Sequence, residues 1–470
     1  MKKINPLLKN AALISVGGLI VKLLGAFYRI PLNNILKADG LGIYQTAFPL
    51  YLILMTFTGS AATNAITKII ASGENGEAVV KKAFVVILPI GFLGWVFMTS
   101  FSGILSDLQS NPRAKLSYIA LAPSLVFVSA ISVLRGYFQG KNNMKPTVFS
   151  QITEQTVKIG AGLLLCYLFA SAPEKGAFFA CLAVSLSELC ALIYLIVKFC
   201  RYPDKISRSN EKYPVKRLIG QLLPIALTSC VLPLAKVFDS FTAINILSGY
   251  AKDANGLYGL YSGSVESLIG MPVAVCYGIA ASVLPSLTSA NAKGNAAEAK
   301  KIVVQAFSYT LFLSAIAFTA IAFFPNLIIK ILFSGLTKES KQILSGLIVF
   351  SSINVVLLSV IQTETSILVA SGKPYMPAIS LAAGFAVKVV SQIFFLKNPN
   401  LNVFGILYSD ILCYFVAVFT DLVYIIAIYY SYKPIGNKTR SEQNETDSCG
   451  SGRNAGRLVA ESSGSDKKIG

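Results

Sequence analysis

Long apolar runs separated by short polar gaps dominate this sequence of 470 residues. A helix needs about 20 mostly apolar residues to cross a hydrocarbon layer of about 30 Å, because each helical residue rises about 1.5 Å. The runs therefore predict an all-α integral membrane protein with about 12 transmembrane helices. The predicted spans are 10–36, 41–70, 80–105, 116–138, 146–170, 176–199, 217–248, 256–289, 302–332, 343–370, 375–396 and 403–431.

The basic residues fall mainly in alternate gaps between these spans. With the N-terminus inside, the cytoplasmic gaps contain 20 Lys and Arg before the tail is counted, whereas the opposite gaps contain eight. Cytoplasmic loops are enriched in both residue types. We therefore predict a multi-pass protein of the cytoplasmic membrane with both termini in the cytoplasm. The basic start runs into the first apolar segment without a convincing cleavage site, so we expect an uncleaved first helix.

The two halves of the chain carry similar segments at equivalent gaps. ADGLGIYQ begins at Ala38 and ANGLYGLY at Ala254, which is an offset of 216 residues. ASGENGEAVVKKAF ends at Phe84 and ANAKGNAAEAKKIVVQAF at Phe307, which is an offset of 223 residues. Many transporters consist of two such repeats with the substrate site between them. The alternative is that short membrane-protein loops simply reuse glycine and lysine.

This repeat predicts the domain organisation. We expect an N-terminal six-helix lobe at 1–211 and a C-terminal six-helix lobe at 212–432, with the same orientation in the membrane because each half has an even number of helices. The composition becomes polar and rich in Gly and Ser after Tyr432. Such a segment cannot bury enough apolar surface to fold, so we predict a disordered cytoplasmic tail at 433–470.

Composition narrows the function classes. The chain is 54% hydrophobic and 13% charged, whereas soluble domains average roughly 25% charged residues. The net charge of +19 lies in the gaps between spans, so we expect no nucleic-acid partner. The chain has no histidine, and its eight cysteines include no CxxC pair. We therefore expect no metal site, disulfide framework or cofactor.

Ionisable residues inside the predicted spans are the candidate functional residues. Each costs about 2.5 to 3.5 kcal/mol on the insertion scale, so each should face protein, water or a partner. The cations are Lys22, Arg29, Lys158, Lys236, Lys330 and Lys388. The acids are Glu154, Glu188, Asp239, Glu266, Glu364, Asp410 and Asp421.

The first predicted helix carries two of these cations on one side. Lys22 and Arg29 lie seven residues apart and project from nearly the same angle. Their helix supplies no acidic partner, which favours a water-filled cavity that receives phosphate, since Arg donates two parallel hydrogen bonds and Lys presents a point charge. The alternative is that both side chains reach toward lipid headgroups.

Two pairs of charges have the spacing of ion pairs within one helix. Lys236 and Asp239 are three residues apart, and Glu154 and Lys158 are four apart, so either pair has a structural interpretation beside a functional one.

Three further positions remain open between ion coupling and structural pairing. Asp410 and Asp421 share a face of the twelfth predicted helix, where they could bind a cation or neutralise Lys388 in the eleventh. Glu266 in the eighth helix is a further coupling or pairing candidate.

Three segments carry a resemblance to a known family. They are VKLLGAFYRIPLNNILKADGLGIYQ, LRGYFQGKNNMKPTVFSQITEQTVKI and LYGLYSGSVESLIGMPVAVCYGIAASVLPSLTSA. With the rest of the chain from about Asn10 to Tyr430, they resemble the stage V sporulation protein B and MurJ-like flippase family of the MOP transporter superfamily, whose fold is MATE/MurJ-like.

The resemblance implies a V-shaped pair of lobes that expose a central cavity to each side in turn. It implies a flippase, not an enzyme, for an anionic lipid-linked saccharide of the undecaprenyl-pyrophosphate type, in cell wall or spore cortex synthesis. A coupling cation, Na⁺ or H⁺, would be a further partner. The matching positions imply that Lys22, Arg29, Asp39, Lys236 and Asp239 bind substrate.

The resemblance to MurJ-type flippases has two departures. The second span here contains no arginine, and those flippases have two further helices. We therefore expect an anionic lipid-linked saccharide in general rather than lipid II in particular. The alternatives are a MATE-like exporter of cationic drugs, a membrane-embedded glycosyltransferase and a scaffold for envelope assembly that transports nothing.

Overall fold

The protein is described here by a computed structural model. The described residues are 6–202 and 214–431, and within them the side chains of 6–16, 19, 22, 26, 228, 292 and 429–431 lie outside the description. The tail predicted at 433–470 lies outside the described residues as well. Residues up to Tyr424 belong to one compact unit, which contains every site discussed below.

The described chain is helical throughout its predicted spans. Its α-helices are α1 (Pro6–Met55), α2 (Ala61–Ala71), α3 (Gly76–Ser100), α4 (Ser102–Leu108), α5 (Lys115–Leu121), α6 (Ser124–Gly140), α7 (Lys145–Phe169), α8 (Pro173–Cys200), α9 (Val215–Ser229), α10 (Val231–Leu247), α11 (Ala254–Gly259), α12 (Glu266–Ala292), α13 (Ala296–Phe323), α14 (Pro325–Leu332), α15 (Lys338–Ala370), α16 (Met376–Leu396) and α17 (Phe404–Ser431). The prediction of an all-α membrane protein is confirmed.

The first two predicted spans form one helical run that is broken in the middle. Within α1, Lys37 takes the non-helical angles φ 57° and ψ −171°, which interrupts the hydrogen-bond ladder at the predicted gap. A π-helical turn at Thr56–Ser60 then joins α1 to α2, and a second one at Leu260–Val265 joins α11 to α12. The two halves of the chain thus share this irregularity after their ADGLG and ANGLY segments.

The number of spans depends on how the interrupted helices are counted. Nine of the described helical runs are long and apolar enough to cross a membrane, and the count is ten if α9 and α10, which meet at 54°, form one span. Helix α7 has the length but not the apolar content, because its first half holds Glu154 and Lys158. Twelve spans follow only if α7 is included and α1 is divided at Lys37.

Three large groups of buried side chains hold the helices together. One joins α1 to α5, α7 and α8 around Tyr28 and Tyr118. The second joins α2, α3, α6 and α8 to α9 and includes Leu222. The third gathers α10 to α15 and the start of α17 around Tyr258 and Phe333. Because α9 packs on helices of the N-terminal half, the division into lobes at 211/212 stays a prediction.

Candidate functional site

A cavity lies where helices of both halves of the chain meet. It has a volume of about 450 Å³ and is lined by α1, α7, α12 and α15, which is within the size range of ligand sites in proteins. The polar side chains that line it include Arg29 from α1, Lys158 and Gln155 from α7, Glu266 from α12 and Gln362 from α15.

Two cations face this cavity without a carboxylate partner among the described residues. Neither Arg29 nor Lys158 forms an ion pair there. The Lys158 ammonium lies 5.7 Å from the ring centroid of Tyr28 and 5.9 Å from that of Phe48, so two aromatic faces are its nearest stabilising groups in place of an ion pair. The acid that lines the cavity, Glu266, already pairs with a lysine. The cavity therefore presents net positive charge.

The predicted stripe of Lys22 and Arg29 is described at one of its two members. The backbone of Lys22 belongs to α1, but its side chain lies outside the described residues. Arg29, one turn before Asn33, lines the cavity. The case for Arg29 as a substrate-binding residue therefore rests on this cavity and on Lys158, which α7 brings to the same cavity.

The predicted pair of Glu154 and Lys158 does not form in the described structure. Glu154 instead accepts a hydrogen bond of 3.0 Å from Arg135 of α6. The same guanidinium donates to the Ser150 hydroxyl at 2.9 Å, because its planar fork can reach two acceptors on one helix face. A neighbouring helix therefore takes the partner that the sequence spacing offered to Lys158.

The other predicted charges gather in a buried cluster in the C-terminal half. The Lys388 ammonium of α16 lies 2.8 Å from the Asp239 carboxylate of α10 and also binds Asp410 of α17. Lys236 binds Glu266, while its distance to the Asp239 carboxylate is 4.0 Å. Lys388, Asp239 and Asp410 are each at most 2% exposed. Asp410 thus neutralises Lys388.

Asp421 lies away from this cluster. Neither of its carboxylate oxygens has a hydrogen-bond partner among the described residues, and Lys388 is already held by two other acids. Asp421 therefore forms no ion pair with Lys388 in the described structure. Helix α17 places the two acids 11 residues apart in the chain, which is three turns and about 16 Å along the axis.

Asp39 takes part in a polar seam at one end of the helices. Arg113 donates to both of its carboxylate oxygens, at 3.0 and 2.7 Å, and also binds Glu174. Asn255 donates to the Asp39 side chain at 2.7 Å and to its backbone carbonyl at 2.8 Å. Four gaps predicted to share one side of the membrane thus meet here, at 37–40, 106–115, 171–175 and 249–255.

The seam joins equivalent positions of the two repeats. Asp39 and Asn255 are 216 residues apart, which is the offset between ADGLGIYQ and ANGLYGLY. The backbones approach closely on both sides of this pair. A Cβ on Gly42 would lie 2.1 Å from the Asn255 carbonyl, and one on Gly259 would lie 2.3 Å from the Ala38 carbonyl. Glycine is therefore required at both positions for this contact.

Sequence reasoning missed the partners that lie on other helices. Arg135, near the end of the predicted span 116–138, binds an acid of α7, and Asn255, in the second repeat segment, binds Asp39 of the first. For Asn255 the repeat did provide a signal. A symmetry axis between two similar segments brings equivalent residues close together, and Asn255 is the equivalent of Asp39. Among the described residues, no group of three or more His, Cys, Asp or Glu is arranged to hold a metal ion.

Comparison with known protein families decides the classification. The family model described as "Polysaccharide biosynthesis protein" matches residues 7–290, which is more than half of the chain. This chain belongs to the polysaccharide biosynthesis protein family. The proteins similar to it include a lipid II flippase and a transporter of the MOP superfamily.

Similar proteins come from Bacillus subtilis (strain 168). Stage V sporulation protein B is 27% identical over 300 residues, 60% of this chain, and the match spans 58% of that protein, less than two thirds of its length. The uncharacterized membrane protein YabM is 28% identical over 81% of this chain and 73% of its own length. The lipid II flippase MurJ is 20% identical over 92% of this chain and 85% of its own.

Solved structures share the fold. An inward-facing multidrug resistance MATE family transporter of the MOP superfamily aligns with a TM-score of 0.70 at 14% identity and covers 90% of this chain and 100% of its own. The lipid II flippase MurJ in an inward closed conformation gives 0.69 at 14% identity, over 88% and 87%. The predicted MATE/MurJ-like fold is confirmed, and at this identity the likeness concerns the fold alone.

Proposed function

We propose that this protein is a flippase that moves an anionic lipid-linked saccharide across the cytoplasmic membrane by alternating access. The observation that carries the proposal is the pair Arg29 and Lys158, two cations that face one cavity with no acid of their own among the described residues. Positive charge at this depth is costly in hydrocarbon. A negatively charged headgroup that enters the cavity would neutralise it.

The chemistry of the two cations suits a phosphate or pyrophosphate group. Arg29 can donate two parallel hydrogen bonds to phosphate oxygens, while Lys158 adds a point charge from the opposite helix. Gln155 and Gln362, which also line the cavity, can bond to sugar hydroxyls or to further phosphate oxygens. The apolar lipid chain would remain in the hydrocarbon of the bilayer throughout, so its movement would require no transfer of apolar surface into water.

Alternating access requires one end of the helices to open while the other closes. The seam of Asp39, Arg113 and Asn255 would keep its end closed in the present conformation. Its polar contacts are partly exposed, so their groups can exchange protein partners for water when the two segments separate. We place this end outside, from the distribution of basic residues, with both termini in the cytoplasm.

The relatives support this substrate class. MurJ is by name a lipid II flippase, and stage V sporulation protein B is by name a sporulation protein. We therefore assign a lipid II-like peptidoglycan precursor or a polysaccharide unit on an undecaprenyl-pyrophosphate carrier, used in cell wall or spore cortex synthesis. Of the residues matched to the family, Asp39 would act in gating, and Lys236 and Asp239 would shape the C-terminal wall.

A MATE-like exporter of cationic drugs is the second candidate, because a MATE transporter shares the fold with a TM-score of 0.70. Such a site needs free carboxylates in the cavity. Here the acid that lines it, Glu266, pairs with Lys236, so the charge of the cavity favours anions.

Complementation in a strain depleted of its own flippase tests the proposal. We expect Arg29→Gln with Lys158→Gln to abolish growth and to cause lipid-linked precursor to accumulate on the cytoplasmic leaflet, at unchanged membrane abundance. The matched control is Lys300→Gln with Lys301→Gln, two exposed lysines of α13, which should complement fully. Full activity of the cavity variant would refute the substrate assignment, and absence of precursor accumulation would favour a scaffold.

A further inference from the structure

The buried acids of the C-terminal half fall into two kinds. Asp239 and Asp410 share the ammonium of Lys388. Glu364 of α15 and Asp421 of α17 are both 0% exposed, and all four of their carboxylate oxygens are without a hydrogen-bond partner among the described residues. One pair of acids thus has a resident cation, and the other has none.

Glu364 and Asp421 are neighbours across two helices. Ile361 of α15 and Ala417 of α17 belong to one buried apolar cluster. Glu364 and Asp421 each lie about one helical turn beyond these residues, so that their charges interact. A third side chain points to the same place from α16. The Ser380 hydroxyl lies close enough to act on Asp421. It is 0% exposed and forms no hydrogen bond of good geometry among the described residues.

No other charge in the described surroundings compensates the two acids. The helices that pack nearby, α12, α16 and α17, carry the further titratable groups Cys276, Tyr277, Lys388, Asp410, Cys413, Tyr414 and Tyr424. The two charged members of this set, Lys388 and Asp410, are paired in the buried cluster described above and form no ion pair with Glu364 or Asp421. Helix α13 presents the Thr310 hydroxyl to Thr363, which adjoins Glu364 in the chain.

Two ionised carboxylates cannot occupy such a site together. Burial disfavours the charged form of each, and a like charge close by disfavours it further, so that at least one of the two binds a proton. A hard metal cation such as Ca²⁺ or Mg²⁺ takes six or more oxygen ligands. The site offers four carboxylate oxygens and one hydroxyl oxygen and is shielded from solvent. Such an ion would have to bring water into it to complete its coordination shell, whereas a proton needs only the two carboxylates.

We propose that Glu364 and Asp421 form a proton-binding dyad whose loading controls the packing of α15 against α17. Gln362, two residues before Glu364, lines the central cavity, so α15 connects the dyad to the substrate space. With the proton bound, the two helices pack together. Release of the proton leaves two like charges, whose repulsion separates α15 from α17 or draws water between them.

Infrared difference spectroscopy of the purified full-length protein in lipid nanodiscs tests the dyad, because protonated carboxylic acids have their own carbonyl stretch. We expect such a band at pH 7 in the wild type, and we expect Glu364→Gln with Asp421→Asn to remove it. Each single variant should lose its band at about tenfold higher proton concentration than the wild type, since the like charge is gone. Glu339→Gln, an exposed acid at the start of α15, is the control and should change nothing.

Three results would overturn the proposal. The first is a double variant with the same spectrum as the wild type. The second is a band that disappears at the same pH in the wild type and in both single variants. The third is a band that disappears when sodium chloride replaces choline chloride at constant pH. The last result would assign the site to a metal cation. The measurement requires no saccharide, so its outcome is independent of the flippase assignment.

Discussion

Two regions of this protein hold positive charge inside the membrane in opposite ways. At the cavity, Arg29 and Lys158 face open space and aromatic rings, without an acid of their own among the described residues. In the C-terminal cluster, Lys388 is 1% exposed and touches two carboxylates. The first arrangement leaves charge available for a ligand, and the second uses it to join α10, α16 and α17.

The contrast shows why intramembrane charge alone does not identify a substrate site. In the sequence, Lys158 and Lys388 look alike as lysines in apolar helices, and of the two only Lys158 has an acid, Glu154, on its own helix. In the structure Arg135 takes the acid beside Lys158, whereas Lys388 receives acids from two other helices. Availability of charge therefore depends on which helix faces which, and this separates a binding group from a structural one.

The largest expected effect comes from removing the cation of the buried cluster. Lys388→Ala leaves Asp239 and Asp410 buried without their partner, and breaking a buried pair in this way costs about 3 to 5 kcal/mol. Titration of the purified protein with SDS in mixed micelles measures the free energy of unfolding. The variant Lys388→Met combined with Asp239→Asn and Asp410→Asn removes all three charges and should recover most of the loss. A stable single variant would contradict the structural role.

An intermediate effect is expected for a paired cation beside the cavity. Arg135→Gln removes a charged hydrogen bond to Glu154, and such bonds contribute about 1.5 to 3 kcal/mol. In the same SDS titration, the loss of unfolding free energy should be smaller than for Lys388→Ala and larger than for the variants of Arg29 and Lys158. Arg135→Lys keeps the charge but loses the contact with Ser150, so it should recover only part of the stability. A loss as large as that of Lys388→Ala would mean that burial of Glu154 dominates.

The smallest effect on stability is expected where the functional effect is greatest. Arg29→Gln and Lys158→Gln remove charges without a carboxylate partner among the described residues, so the free energy of unfolding should stay within about 0.5 kcal/mol of the wild type, as for other substitutions outside packed or paired environments. Glu266→Gln, which does break a pair, provides the comparison and should destabilise the protein more. A clear loss of stability in the cavity variants would show that these cations are structural.

Much of the fold was predictable from the sequence, because a membrane-spanning helix requires a continuous apolar segment of the chain. The apolar runs predicted the helices, and the repeat predicted that residues near Asp39 and Asn255 are equivalent. The number of spans was less predictable, because it depends on how the break at Lys37 and the bend between α9 and α10 are counted. Whether a helix continues through a predicted gap depends on the helices packed against it, which no single segment specifies.

The candidate site was predictable in part. Arg29 and Lys158 stood out as ions in apolar helices, yet the sequence paired Lys158 with Glu154, because neighbours on one helix are the partners that spacing can show. The dyad of Glu364 and Asp421 was recognisable only as two separate acids. Their positions in the chain are 57 residues apart, and the contact between them is made by helix packing.

The sequence by itself determined that this chain is an all-α membrane protein of the polysaccharide biosynthesis protein family with similar segments at equivalent gaps, because hydrophobicity and repetition are properties of the chain. The tertiary structure alone decided which charges are neutralised and which remain free. That outcome depends on the distances between side chains of different helices. In a medium of low dielectric constant, a difference of a few ångströms decides whether a charge is neutralised by a partner.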